Sequence, residues 1–181
     1  IARVMLSPGH AAATDEVRCQ PALQWQWDDV TFRVLHPPAG YAGSENDRSC
    51  VLHISAAGGR VLLPGDIESA AENALVHTHG PQLQADVLVV PHHGSVTSSS
   101  AGFIAAVAPR YAVFAAGYRN RFGFPHREID AAYRQAGVAT WTTGRAGAVT
   151  ITIRERVQPP RSYRESHARY WHIGARAASA R

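Results

Sequence analysis

The 181-residue sequence contains no lysine, so all 18 of its basic side chains are arginine. Cysteine is scarce as well, with only two. Neither sits in a Cys-x-x-Cys pair, which excludes a disulfide framework, a zinc ribbon and a thioredoxin-like redox motif. Cys19 and Cys50 remain readable either as one disulfide, in an oxidising compartment, or as two buried thiols. No run of about 18 apolar residues occurs, so this stretch holds no membrane-spanning helix. A basic-then-apolar leader is missing too, and the chain opens on strand-like Ala2-Arg3-Val4-Met5-Leu6 without an initiator methionine. The expectation is a chain that starts inside a longer protein.

What is present fits one globular domain with a proper core: 45% of residues are hydrophobic and 18% charged. The net charge of +4 is uneven. Residues 1–153 carry 11 arginines against 12 acids, whereas residues 154–181 carry 7 against 2. The expected organisation is therefore a domain over 1–153 and a basic, flexible tail over 154–181. Such a tail can meet phosphates or anionic head groups, or be a solvated end.

Up to Gly65 the pattern is one of strands and turns. Residues 24–27 and 30–35 read as a hairpin around Asp28-Asp29, with Trp25 and Trp27 packing on one face. Residues 51–54 and 60–63 read as a second hairpin. Beyond Ile67 helices alternate with apolar strands. Helices are expected over 68–77, from Ser98–Ser100 to Val107, and over 127–135 with Gly137 as a stop. Strands are expected over 85–90, 111–115, 139–142 and 148–153. Hairpins followed by strand–helix alternation give an α/β (α+β) layered fold.

Two strand ends carry chemistry. Val61-Leu62-Leu63-Pro64 breaks into Gly65-Asp66, which leaves a carboxylate at the strand's C-terminal end, able to hold a divalent cation or simply to cap the next helix. Val89-Val90-Pro91 breaks into His92-His93-Gly94-Ser95. Adjacent histidines after a buried strand point to opposite sides, so both cannot be core. One imidazole can ligate a metal while the other donates to an oxyanion or serves as general acid. Gly94 would let a substrate approach the backbone, and Ser95 would add a phosphate donor. After the next strand, Arg119-Asn120-Arg121-Phe122-Gly123-Phe124-Pro125-His126 offers guanidiniums, an amide and an imidazole, a composition suited to phosphate.

Gly65-Asp66, His92-His93-Gly94-Ser95, then Asn120-Arg121-Phe122-Gly123 and Pro125-His126, in that order after successive strands, resemble the metallo-β-lactamase fold. More closely, the chain resembles the C-terminal domain of ComEC-type DNA-internalisation competence proteins. The likeness spans about residues 1–153 and includes Asn46, Arg48, Ser49 and Cys50. It implies the C-terminal portion of an αββα sandwich with one or two divalent ions, zinc or manganese. It also implies Asp66 as a metal ligand that bridges the ions, His93 as ligand and His92 as phosphate contact. Ser95, Asn120, Arg121 and His126 follow as substrate or phosphate contacts, and Asp66, His92 and His93 as the catalytic set. The implied function is a metal-dependent nuclease of a DNA-uptake channel, acting on the single strand that is not imported. The parent protein would lie in the inner membrane with this domain periplasmic, where Cys19 and Cys50 would pair.

Two departures stand out. The family's His-x-His-x-Asp-His motif is absent, and His77-Thr78-His79 comes after Asp66, in the wrong order. Phe124 stands where the family usually has histidine. The chain is accordingly expected to bind metal weakly and hydrolyse little alone. A small-phosphodiester or phosphorylcholine-esterase-like hydrolase and a catalytically dead DNA-binding module remain as alternatives. An exposed sheet edge would favour a homodimer.

Overall fold

A computed structural model describes residues 5–6, 17–21 and 23–169; the aromatic group Tyr170-Trp171-His172 lies outside these. Short strands β1 (Met5–Leu6) and β2 (Val17–Arg18) pair in parallel. Next, β3 (Gln24–Trp27) and β4 (Val30–His36) form a hairpin. Its turn residues Asp28 and Asp29 both have positive φ, the conformation that two-residue hairpin loops require and Asp tolerates. A second hairpin joins β5 (Val51–Ala56) to β6 (Gly59–Leu63). Then come α1 (Ser69–His79), β7 (Val87–Val89), α2 (Ala101–Val107), β8 (Tyr111–Phe114), α3 (Arg127–Gln135) and β9 (Ala139–Thr142). The chain continues through α4 (Thr143–Ala146), β10 (Val149–Thr150), β11 (Arg161–Ser162) and α5 (Tyr163–Ser166).

Strands β3 to β9 form one seven-stranded sheet in chain order. Pairing is antiparallel up to β6 and parallel from β6 to β9. This mixed α/β arrangement fixes where the helices go. Three parallel crossovers step the same way across the sheet, so their shared right-handedness puts α1, α2 and α3 on one face. Alternation supplies that face with Leu62, Leu88, Ala112 and Phe114, which meet Ile67, Leu75, Phe103, Val107, Ile129 and Tyr133 in one buried cluster. Ser100 caps α2 by accepting from Phe103 N.

The opposite face, with Val61, Val87, Tyr111 and Trp141, is covered by Ile151, Ile153 and Val157. Here the structure departs from the sequence expectation. Residues 148–153 add no strand to the large sheet; β10 leaves it and pairs with β11, and residues 143–146 are helical. Nor is the segment after residue 153 a free tail as far as Arg164. Val157 is buried, Ser162 Oγ donates to Ala146 O, and Arg164 Nη1 donates to Gly144 O at 2.6 Å. One buried valine and these bonds outweigh the local excess of arginine. The two tryptophans also part company: Trp25 stacks on Phe32, whereas Trp27 is 69% exposed.

Cys19 and Cys50 form a disulfide with a Cα–Cα distance of 5.8 Å across a sequence separation of 31. Closing a loop of that length is worth about 3–4 kcal/mol in the chain-entropy account. Urea unfolding with and without reductant is expected to show that loss.

Two buried histidines serve the fold. His36 Nε2 meets Asp47 O at 2.6 Å, and His53 Nε2 meets Gln84 O at 3.1 Å. Burial lowers both pKa values from the ordinary 6.5, against the opposing pull of these carbonyls. Below 6.5 the unfolded chain therefore binds more protons than the native one. Their contribution is complete above that pH and is lost as pH falls through the lower folded-state values. The urea midpoint is expected to fall as pH drops below 6.5, and less steeply in His36→Gln; equal slopes would contradict this.

Candidate metal centre and phosphate site

The turns after β6, β7 and β8 leave the same edge of the sheet because these strands are parallel. Backbone bonds tie them together: His92 N donates to Gly65 O at 3.1 Å, and His126 N donates to Gly94 O at 3.0 Å. Gly65 has φ +65°, and a Cβ there would lie 2.8 Å from Ser49 Cβ. The loop before β5 grips the first turn from behind. Ser49 Oγ accepts from Asp66 N at 3.1 Å, and buried Asp47 accepts from Glu68 N at 2.8 Å.

The histidine turn is strained. His92 (φ 48°, ψ 38°) and His93 (φ 56°, ψ 14°) are both left-handed, in succession. That region costs a non-glycine residue about 1–2 kcal/mol. Such strain persists where the surroundings over-determine it, and it clusters at functional sites. Its effect is to send adjacent rings to different carboxylates. His93 Nε2 lies 3.5 Å from Asp66 Oδ1, and His92 Nδ1 lies 3.4 Å from Glu68 Oε1.

The Asp66–His93 spacing is informative. Two ligands of a tetrahedral ion, each about 2.1 Å from it, stand about 3.4 Å apart. Both side chains are 45% exposed, open to an incoming ion. The donor types and their separation thus fit one edge of a divalent-cation site. Among the described residues no third histidine, cysteine or carboxylate completes a cluster.

His92 has polar partners of its own. Thr97 Oγ1 donates to Glu68 Oε1 at 2.8 Å and lies 3.3 Å from His92 Nδ1. A hydroxyl has one hydrogen, and here Glu68 takes it, so Nδ1–H must be the donor toward Thr97. The tautomer leaves Nε2 free at the site. Sequence reasoning missed Glu68 and Thr97. Asp66-x-Glu68 was the available signal, because it puts two carboxylates on one turn, but Glu68 reads equally well as a helix start.

The remaining expected contacts divide. Ser95 is buried, and its Oγ is engaged with Thr97. Gly94, read as an approach for substrate, is also buried; its missing Cβ makes room for Pro125 and Phe114 at 2.7 and 2.8 Å. Asn120 spends its whole amide on its own loop: Nδ2 donates to Gly117 O and Phe124 O, and Oδ1 accepts from Phe122 N and Phe124 N. Arg121 is exposed, with its guanidinium 4.7 Å from the Phe122 ring centre. His126 is half-buried and meets Phe124 edge-on at 5.5 Å. Phe124 also meets His92 at 5.8 Å and His93 at 6.3 Å, so position 124 borders the site as an apolar wall.

Behind the site lies a buried acid that the sequence did not flag. Glu72 is fully buried on α1 and accepts from Ser99 N and Ser100 N. Burial pushes its pKa up against those amide bonds. Ser99 Oγ also bonds Tyr133 OH at 3.1 Å, which locks the loop after the histidine turn to α1 and α3.

Strand-end Asp and His turns on a mixed sheet define a class, and the chain belongs to it: the metallo-beta-lactamase superfamily, whose family model matches residues 5–118. Proteins of this superfamily generally bind divalent metals. Within it, the chain is 40% identical over 130 residues to competence protein ComA of Neisseria gonorrhoeae. It is 32% identical over 145 residues to ComE operon protein 3 of Bacillus subtilis, and 32% over 135 residues to recombination protein 2 of Haemophilus influenzae. These matches take in 72%, 80% and 75% of the chain but only 19%, 18% and 17% of the relatives. The chain therefore spans less than a fifth of the length of these relatives. Among the described residues no helix is long and apolar enough to cross a membrane.

Proposed function

We propose that this chain carries part of the catalytic site of a divalent-metal phosphodiesterase that cuts single-stranded DNA, within a protein of DNA uptake. The observation behind this reading is the strained His92-His93 turn, which places His93 at ligand spacing from Asp66 and turns His92 to a separate acid. Relatives named for competence supply the DNA context. Zinc and manganese both suit a carboxylate–imidazole edge.

Asp66 and His93 would hold the ion, and the remaining ligands come from elsewhere, because this sequence lacks the His-x-His-x-Asp-His run. A bound ion supplies Lewis-acid neutralisation of phosphate charge. His92, with Nδ1–H held by Thr97 and Glu68, presents Nε2 to a phosphate oxygen or a leaving oxygen. Arg121 would add an exposed positive charge at the rim, and Phe124 would exclude water from one side. A periplasmic position agrees with the Cys19–Cys50 disulfide.

Single-turnover assays on the native gene product test this. Cleavage of single-stranded DNA that needs Mn²⁺ or Zn²⁺, with weaker action on small diesters, is expected. Efficient hydrolysis of small diesters with DNA left intact would overturn the substrate; no metal-dependent cleavage of either would overturn the enzyme.

A further inference from the structure

The loop over residues 117–124 carries two of the chain's exposed large hydrophobic side chains, Tyr118 at 45% and Phe122 at 57%. Its shape does not depend on them. Asn120 makes the four hydrogen bonds that fold the loop, and Gly123 takes φ +70°. The exposed rings have no packing task, yet they are ordered among themselves. Phe122 stacks on Phe124 with centroids 5.4 Å apart and planes at 20°. Arg121 lies over Phe122 at 4.7 Å, and Arg119 lies over Tyr118 at 5.3 Å. Residues 115–127 include three arginines and no acid. Phe124 connects this stack to His92 and His93 at 5.8 and 6.3 Å.

We infer that the Phe122–Phe124 stack is a base-stacking subsite beside the phosphate site, with Arg119 and Arg121 on the flanking phosphates. The inference rests on the phosphodiesterase reading and deepens it. A base that displaces the Arg121 guanidinium from the Phe122 ring gains an aromatic face and frees that charge for the adjoining phosphate, and stacking tolerates any base sequence. Bases in a duplex are covered on both faces, so only a single strand can offer one to Phe122. The subsite thus makes strand state, rather than sequence, the selected property. A small diester without a neighbouring base lacks the group that Phe122 would stack on.

The test measures binding by the full 181-residue chain in EDTA, which keeps it separate from cleavage. The probes are a fluorescent oligothymidylate and an abasic oligomer of equal length. Phe122→Ala and Phe122→Leu are each expected to weaken oligothymidylate binding about tenfold, with abasic binding changed less than about twofold. The Leu variant keeps apolar bulk without a flat face, so loss in both isolates stacking. In oligothymidylate carrying 2-aminopurine, the unaltered chain is expected to quench the base, and Phe122→Ala to relieve that quenching. Equal loss for both oligomers, no loss, or no binding by the unaltered chain would overturn the subsite. Base-dependent binding by a protein that cleaves no phosphodiester would leave the subsite standing and overturn the phosphodiesterase reading. Cleavage with no base dependence would do the reverse.

Discussion

His93→Gly is expected to remove activity and to raise stability. Activity falls because the imidazole facing Asp66 is gone; kcat/KM on single-stranded DNA should drop by about a thousandfold or more, the scale of losing a central catalytic group. Stability rises because glycine adopts φ 56° without the penalty His93 carries. Relief of about 1 kcal/mol is expected. The lost His93–Asp66 contact offsets little of it, since both side chains are 45% exposed. A more stable and inactive variant is the signature of strain held for function. Asp66→Ala should match the loss of activity without the gain in stability. Paired urea unfolding and single-turnover assays check both, and a destabilised or fully active His93→Gly would contradict the assignment.

Gly94→Ala is expected to damage the fold and the candidate site with one methyl group. The new Cβ would stand 2.7 Å from Pro125 Cβ and 2.8 Å from the Phe114 ring, at φ +87°. Overpacking and a left-handed backbone each cost about 1–3 kcal/mol, so a loss of about 3 kcal/mol is a central expectation. The clash also separates the histidine turn from the loop whose His126 N bonds Gly94 O. Activity should therefore fall even at temperatures where the variant stays folded. Gly102→Ala is the control. Its Cβ meets nothing within 4 Å on α2, and helix propensity predicts a gain of about 1 kcal/mol or less. Destabilisation by Gly102→Ala equal to that of Gly94→Ala would remove the steric explanation.

Sequence made the strand-end residues readable. Gly65-Asp66 and His92-His93-Gly94 interrupt apolar strands abruptly, and one buried strand followed by two imidazoles has few structural explanations. The order of elements from β3 to α3 was readable for the same reason, because hydrophobic period changes sharply between hairpins and helices. Glu68, Thr97 and Glu72 were not readable. Each is an ordinary residue for a helix start, a loop or a helix face, and its role depends on partners as far as 27 to 29 residues away. The left-handed histidine pair was hidden as well: continued strand geometry predicted rings on opposite sides, whereas the turn gives each its own carboxylate. Ser95 and Asn120 had the right chemistry for phosphate, but their hydrogen-bonding capacity is taken up within their own loops. At the C-terminal end, charge composition pointed to a free tail, while Val157 and two hydrogen bonds dock it as far as Arg164.

The division of labour between the two histidines is the centre of this account, and calorimetric titration of the native gene product with Mn²⁺ addresses it most directly. His93→Gln should weaken metal binding by well over about a hundredfold, more than the loss of an outer partner costs, whereas His92→Gln should leave affinity within about tenfold. Equal weakening by both variants, or weakening by His92→Gln alone, would contradict the assignment of His93 and Asp66 to the metal and His92 to the phosphate.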